Sequence, residues 1–222
     1  MTSHGYQPKP GPIPPIPTTG SGVKPPRRFE HPAASALRVK TIGFCGPAGA
    51  GKSTAAEHLM LRWGFQRVRF AGPLKAMMLS LGLDLDQVDG ARKEEPTPLL
   101  CGRTPRQAMQ WLGTEWGRNL IGEGLWIAAW QAAVQAGHLR HPCQGGHPLV
   151  VADDVRFANE ATAIRDRGGL VVRIERPGAG SASGGDHASE RPDFVPDRII
   201  RNTGDLVAFH KAIDDLAVSL LD

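Results

Sequence analysis

An α/β fold, a doubly wound parallel sheet with helices on both faces, is what this 222-residue sequence predicts. Three observations predict it. Short β-prone apolar runs alternate with helix-length amphipathic stretches from about residue 39 to the C-terminus, the order that builds parallel strands joined by covering helices. The first run leads through a glycine-rich turn directly into a helix. The length and the 41% apolar content suit one medium domain with a real core.

In order, residues 39–45 read as the first strand, 53–63 as a helix and 68–70 as a second short strand. Residues 73–81 form a helix with Pro73 in its first turn. Residues 82–103, rich in Asp, Pro and Gly, read as loop. Thr104-Pro105-Arg106-Gln107 is a helix start: Thr104 as N-cap, Pro105 at the first helical position, Gln107 completing a capping box. Helices at 126–136, 158–167 and 206–221 and strands at 149–152, 170–174 and 198–200 complete the pattern, with Gly168-Gly169 ending the second of those helices.

Residues 1–36 read as a disordered leader outside the domain, which occupies residues 37–222. Nine of the 19 prolines lie there among Gly, Ser and Thr, and such a segment buries too little apolar surface to offset its ordering entropy. Pro-x-x-Pro spacings suit an SH3-type partner, but an extended flexible leader is the preferred reading. Residues 1–40 hold six Lys/Arg against one acid, a net of +5 that leaves −1 for the remainder of a chain whose total is +4. The basic balance thus belongs to the leader, and no nucleic-acid partner is expected of the folded part. Cys45, Cys101 and Cys143 are few and irregular, which fits reduced thiols. With no run of about 18 apolar residues and no apolar N-terminal stretch, no membrane association is expected, and the expected location is the cytoplasm.

The strongest chemical signal is Gly46-Pro47-Ala48-Gly49-Ala50-Gly51-Lys52-Ser53. It matches the P-loop pattern G-x-x-x-x-G-K-[ST] in the strand–loop–helix context that the motif needs. Gly46, Gly49, Ala50 and Gly51 supply backbone N–H groups turned toward phosphate oxygens. The helix N-terminus adds unpaired donors and a favourable dipole. Lys52 then reaches the β- and γ-phosphates, Ser53 ligates Mg2+ through its hydroxyl, and Thr54 approaches the α-phosphate. ATP and Mg2+ are the implied co-substrate and metal. P-loop enzymes place a metal-facing acid at the end of a later strand, and Asp153-Asp154 ends the 149–152 run. Either one Asp faces the metal and the other caps the next helix, or both cap.

A guanine-selective N-K-x-D motif is missing, since Asn202-Thr203-Gly204-Asp205 lacks the lysine, and the chain is short for a motor. Among small kinases, four segments resemble the phage-type deoxynucleoside monophosphate kinases: the P-loop, Phe70-Ala-Gly-Pro-Leu-Lys75, the long run 104–118 that begins Thr-Pro-Arg-Gln and ends Glu-Trp-Gly-Arg118, and Asp154-Val-Arg-Phe-Ala-Asn-Glu160. Weaker resemblance continues at 173–177 and 187–190. The resemblance covers residue 40 to the C-terminus. It implies a P-loop kinase core with an inserted monophosphate-binding helical region at about 70–130, transfer of the ATP γ-phosphoryl group to a deoxynucleoside 5′-monophosphate, and a phage source, hence host cytoplasm. By the same resemblance Asp154 is favoured as the metal-facing acid, although Asp153 stands where the family often has a small polar residue.

The acceptor is an anion, so the chemistry demands a second cationic site. Lys75, Arg106, Arg118 and Arg156 are the candidates. Lys75 starts a helix after the second strand, Arg106 lies in the first turn of a capped helix, and Arg156 follows the metal acid, where it can stabilise transition-state charge. Phe70, Ala71, Gln107, Glu115, Trp116 and Trp126 complete the predicted acceptor set, with an indole face to stack on a base and Glu115 to orient Arg118 at helical spacing. Residues 176–192, rich in Gly and Ser, suit a lid over ATP or an ordinary connection. His138, His141, Cys143 and His147 fit no zinc spacing and read as a polar loop. A homodimer is left open. The rival readings are a small-acceptor kinase such as dephospho-coenzyme A kinase and a nucleotide-binding interaction protein recruited through the leader.

Overall fold

The computed structural model describes residues 40–140, 148–180 and 193–221. The predicted leader, the His141–His147 stretch and most of the predicted lid lie outside the described residues. The five strands are β1 (Lys40–Cys45), β2 (Gln66–Arg67), β3 (Leu149–Ala152), β4 (Leu170–Glu175) and β5 (Arg198–Arg201). They form one parallel sheet in the order β2-β3-β1-β4-β5. This is the α/β P-loop fold that the sequence predicts. The chain winds first to one side of β1 and then to the other, so the crevice beyond the carboxyl ends of β1 and β3 is the topological switch point where such sheets bind ligands.

The period-two alternation of the strands sorts the core into two layers. Ile42, Phe44, Val151, Val172 and Ile174 meet Ala55, Ala56 and Leu59 of α1 (Lys52–Trp63) and Phe209, Ile213 and Leu216 of α7 (Leu206–Leu221) on one face. On the other, Cys45, Val150, Ala152 and Val171 meet Ala161 and Ile164 of α6 (Ala158–Arg165) and Trp130 and Val134 of α5 (Leu125–Arg140). Gly43 permits that second layer: a Cβ there would stand 2.4 Å from Ile164 Cδ1 and 2.9 Å from Val155 Cγ2. Burial pushes the Cys45 thiol up to about 11, against the nearby Arg173 and Lys52 charges, so it behaves as an apolar core residue.

Between β2 and β3 lie α2 (Gly72–Ser80), α3 (Leu85–Val88), two 3-10 turns and α4 (Pro105–Trp111). Their shared core is Met78, Leu83 and Val88, with Leu100, Ala108, Met109 and Leu112 packed on it. The 82–103 stretch therefore carries more structure than its composition suggests. Asp84 builds a capping box with Gln87 at the start of α3, and Thr97 bridges Arg103. The capping box predicted at Thr104 is present, the Gln107 amide donating to Thr104 Oγ1 and the Thr104 amide to Gln107 Oε1, both at 3.2 Å. After Trp111 the helix widens into a π-helical segment, Leu112–Ile121.

Candidate active site

The loop after β1 holds its shape through backbone conformations that favour glycine. Gly46, Gly49 and Gly51 have φ of 126°, 77° and 108°. A Cβ on Gly46 would stand 2.3 Å from the Ile174 carbonyl oxygen, and one on Gly51 2.8 Å from Asn202 Nδ2. Asn202 donates from Nδ2 to the Ala50 carbonyl at 3.0 Å, and the Gly180 amide donates to the Ala48 carbonyl at 3.1 Å. Gly180, which belongs to the predicted lid stretch 176–192, is thus bonded to the loop. Lys52 Nζ donates to the Gly46 and Pro47 carbonyls, both at 2.7 Å, which sets its ammonium over the mouth of the loop. Ser53 and Thr54 follow in the first turn of α1.

Asp153 is buried at the end of β3. It accepts from Ser53 Oγ at 3.1 Å, from Arg67 Nε at 3.1 Å and from Arg69 Nε at 3.0 Å, and Arg67 Nη2 adds a short contact. Burial raises its carboxyl pKa, but the Arg67 hydrogen bond and the Arg69 charge outweigh burial and hold it below the ordinary carboxylate value. Asp154 faces the other way. Its two oxygens accept the amides of Phe70 (3.1 Å) and Ala71 (2.9 Å), and burial pushes its carboxyl up, helped by the charge of Asp153. Asp153, rather than the favoured Asp154, thus meets the P-loop serine, and Asp154 clamps the start of α2. The pleat decides it, because adjacent residues leaving a strand point to opposite sides.

Beside this pair opens a cavity of about 350 Å³, lined by Ser53, Glu57, Arg67, Arg69, Lys75, Asp89, Lys93, Asp153 and Asp154. It falls within the size range of small-molecule sites. Arg67 and Arg69 reach it together because they alternate with Val68, which turns into the core. Arg69 Nη1 pairs with Asp89 at 3.1 Å, and Lys75 Nζ pairs with the other Asp89 oxygen. Burial, the largest influence on each, is outweighed at Asp89 by Lys75, which keeps that carboxyl low, and reinforced at Lys93 by the Lys75 charge, which pulls that ammonium down. Lys75 was legible in the sequence; Arg67, Arg69, Asp89 and Lys93 were not. Their one sequence signal is the Arg-x-Arg alternation running into Phe70.

Several predicted acceptor residues are engaged elsewhere. The Phe70 ring is buried and stacked on Trp130 at 4.7 Å, and the amides of Phe70 and Ala71 belong to Asp154. Trp126 is also buried, donating to the Gly113 carbonyl at 2.8 Å, with Gly117 against its ring, so it is a packing residue. Trp116 is exposed, 6.2 Å from the Trp126 ring. Gln107 spends its side-chain oxygen on the helix cap. Arg106 is half-exposed and pairs with Glu94 outside the cavity lining. Arg118 does not turn to Glu115: it donates to Asn159 Oδ1 at 3.2 Å and lies 3.7 Å over the Phe157 ring. The π-helical segment changes the residues per turn between 111 and 118, so ordinary helical spacing no longer predicts which side chains align. Arg156 is exposed one turn before Glu160, which accepts its amide at 2.8 Å.

Comparison with known proteins adds one decisive match. A protein of Acanthamoeba polyphaga mimivirus that carries the provisional name deoxynucleotide monophosphate kinase is 37% identical over 155 residues, spanning 67% of this chain and 79% of the relative. This chain belongs to the deoxynucleotide monophosphate kinase family. It is accordingly a P-loop nucleotide kinase, and family membership implies ATP as the phosphoryl donor. No family profile matches the chain. Among solved structures, a Thermus thermophilus protein, TT1252, aligns at 18% identity over 82% of this chain and 98% of its own, with a TM-score of 0.47. The APS kinase of Mycobacterium tuberculosis, as a Cys556Ala mutant, aligns at 16% identity over 82% of this chain and 98% of its own, with a TM-score of 0.40. Among the described residues, no helix is long and apolar enough to cross a membrane.

Proposed function

We propose that this kinase transfers the γ-phosphoryl group of ATP to the 5′-phosphate of a deoxynucleoside monophosphate, giving the diphosphate. The observation that carries the reading is that Ser53 and Asp153, beside the P-loop, share one cavity with the separate cationic set Arg69, Lys75 and Lys93. A kinase with an anionic acceptor needs both halves within reach of each other.

The residues suit the roles. The P-loop amides and Lys52 cradle the β- and γ-phosphates. Ser53 Oγ and the ionised Asp153 carboxylate, 3.1 Å apart, are hard oxygen donors that fit Mg2+, which they would hold. That ion, when bound, neutralises charge on the phosphates. Arg67 and Arg69 keep Asp153 ionised and oriented. Arg69, Lys75 and Lys93 draw in the acceptor's phosphate and position one of its oxygens for attack. A phosphomonoester has its second pKa near 6, so at neutral pH the attacking oxygen carries its charge already and needs no general base. Arg156, exposed just past Asp154, is the proposed stabiliser of charge on the transferring group.

The test is ADP release measured across the common ribo- and deoxynucleoside monophosphates, alongside dephospho-coenzyme A. Turnover with one or more deoxynucleotides is expected. Lys75→Met should raise the acceptor KM by about tenfold or more while leaving the ATP KM near wild type. Turnover with dephospho-coenzyme A alone, or ATP binding without any transfer, would overturn the reading.

A further inference from the structure

We propose that Asp89 is an internal competitor for the acceptor's phosphate: it occupies the seat formed by Arg69 and Lys75 and sets a charge threshold that a phosphomonoester dianion passes and a monoanion of the same shape does not. The proposal rests on the acceptor site described above and adds the residue that sets how much charge an acceptor must carry to bind there.

Of the four carboxylates lining the cavity, three are committed elsewhere. Asp153 accepts from Ser53 and Arg67 as well as Arg69, Asp154 accepts two backbone amides, and Glu57 lies 3.9 Å from Arg67. Asp89 alone among them takes both its charged partners from the acceptor side, one oxygen on Arg69 Nη1 at 3.1 Å and the other on Lys75 Nζ. Its carboxylate thus presents to those two cations the bidentate arrangement of oxygens that a phosphate presents.

The backbone that carries Asp89 is tightly built. Its amide donates to the Leu85 carbonyl at 2.7 Å. Asp86 Oδ1 accepts the Ala91 amide at 3.0 Å, and a Cβ on the intervening Gly90 would stand 1.8 Å from that oxygen. The side chain is a different matter. It is 39% exposed, so it can rotate into water without opening the core. Arg69, by contrast, stays anchored through Nε on Asp153 when Nη1 changes partner.

Charge then selects. A monoanion that displaces Asp89 exchanges one negative charge for another and gains little Coulomb energy at a partly exposed site. A dianion brings a second charge to the same two cations and to Lys93, which faces the cavity from the 3-10 turn Ala91–Glu94. Asp89 therefore subtracts the same amount from every acceptor, and only the doubly charged one recovers it.

The test uses the full chain, with the deoxynucleoside monophosphate of lowest KM and its 5′-sulfate, a monoanionic isostere. Binding is measured by calorimetry at pH 8 for wild type, D89N, D89S and K75M. Wild type should prefer the phosphate by at least tenfold. D89N and D89S should bind both ligands about fivefold more tightly than wild type does, the scale of one partly exposed ion pair, with the ratio between the ligands kept and sulfate binding brought into the measurable range. Unchanged affinity for both ligands in the two Asp89 variants, or weaker binding of both, would overturn the proposal; the second result would make Asp89 a support for Arg69 and Lys75. If K75M instead binds the phosphate like wild type, the acceptor site itself is misplaced, whatever the Asp89 variants do.

Discussion

The two halves of the proposed active site are built on different principles. The donor half is one contiguous stretch, 46–53, shaped by left-handed glycines and braced by hydrogen bonds from Asn202 and Gly180. Its ligand-facing groups are mostly backbone amides, whose chemistry no substitution can alter. The acceptor half consists of side chains, Arg69 and Lys75 beside β2 and Lys93 some twenty residues on, and two of these cations, Arg69 and Lys75, are already paired with carboxylates. The first half offers fixed complementarity to any polyphosphate. The second is a balance of charges, and under the proposed reading small changes in it should change which anion is accepted.

The largest expected effect tests the donor half. Lys52→Ala should reduce kcat by about 10³-fold or more. The fold should survive, because the Lys52 Nζ hydrogen bonds to the Gly46 and Pro47 carbonyls lie within the loop itself; the thermal midpoint, read by circular dichroism, should move by about 2 °C or less.

The next comparison separates the adjacent aspartates. Asp153→Asn should lower kcat by about 10²-fold and raise the Mg2+ concentration for half-maximal rate. Asp154→Asn should act on stability instead, costing about 1–3 kcal/mol, because an amide can accept only one of the two N–H groups from Phe70 and Ala71. Urea melts and Mg2+ titrations of both variants decide the assignment. The reverse pattern would restore Asp154 as the metal-facing acid.

The smallest effect concerns Glu160, which holds the turn carrying Arg156. Burial raises its carboxyl from 4.5 to about 7, opposed by its hydrogen bonds to the Arg156 and Phe157 amides. The folded state therefore holds a proton that the unfolded chain has released, and this group's contribution to stability falls as pH rises from 4.5 to about 7, then levels off. Glu160→Gln should flatten that part of the urea-midpoint profile. Identical slopes for variant and wild type across this window would show that Glu160 titrates normally.

Much of the fold was legible in advance. The strand–helix alternation, the P-loop and the Thr104 capping box each depend on residues within a few positions of one another, and each appears where the sequence puts it except the second strand, which is Gln66–Arg67 and not 68–70. Other features escaped the pattern. The 82–103 stretch reads as loop because its helix is only four residues long, too short to show a period. Phe70 and Trp126 look like ligand aromatics, yet the core claims both rings. The partnership of Arg118 with Phe157 and Asn159 spans about forty residues and passes through a π-helical segment that shifts the facing of every side chain after it.

By itself the sequence determined the phosphate loop and the order of the sheet's building blocks, and it raised the expectation of a second cationic site, because these follow from local conformation, hydrophobic period and the charge of the expected substrates. Only the tertiary structure decided which aspartate meets Ser53 and which cations line the cavity with it. Those choices depend on the pleat of β3 and on the register that brings β2 beside it, and neither is encoded within any single stretch of the chain.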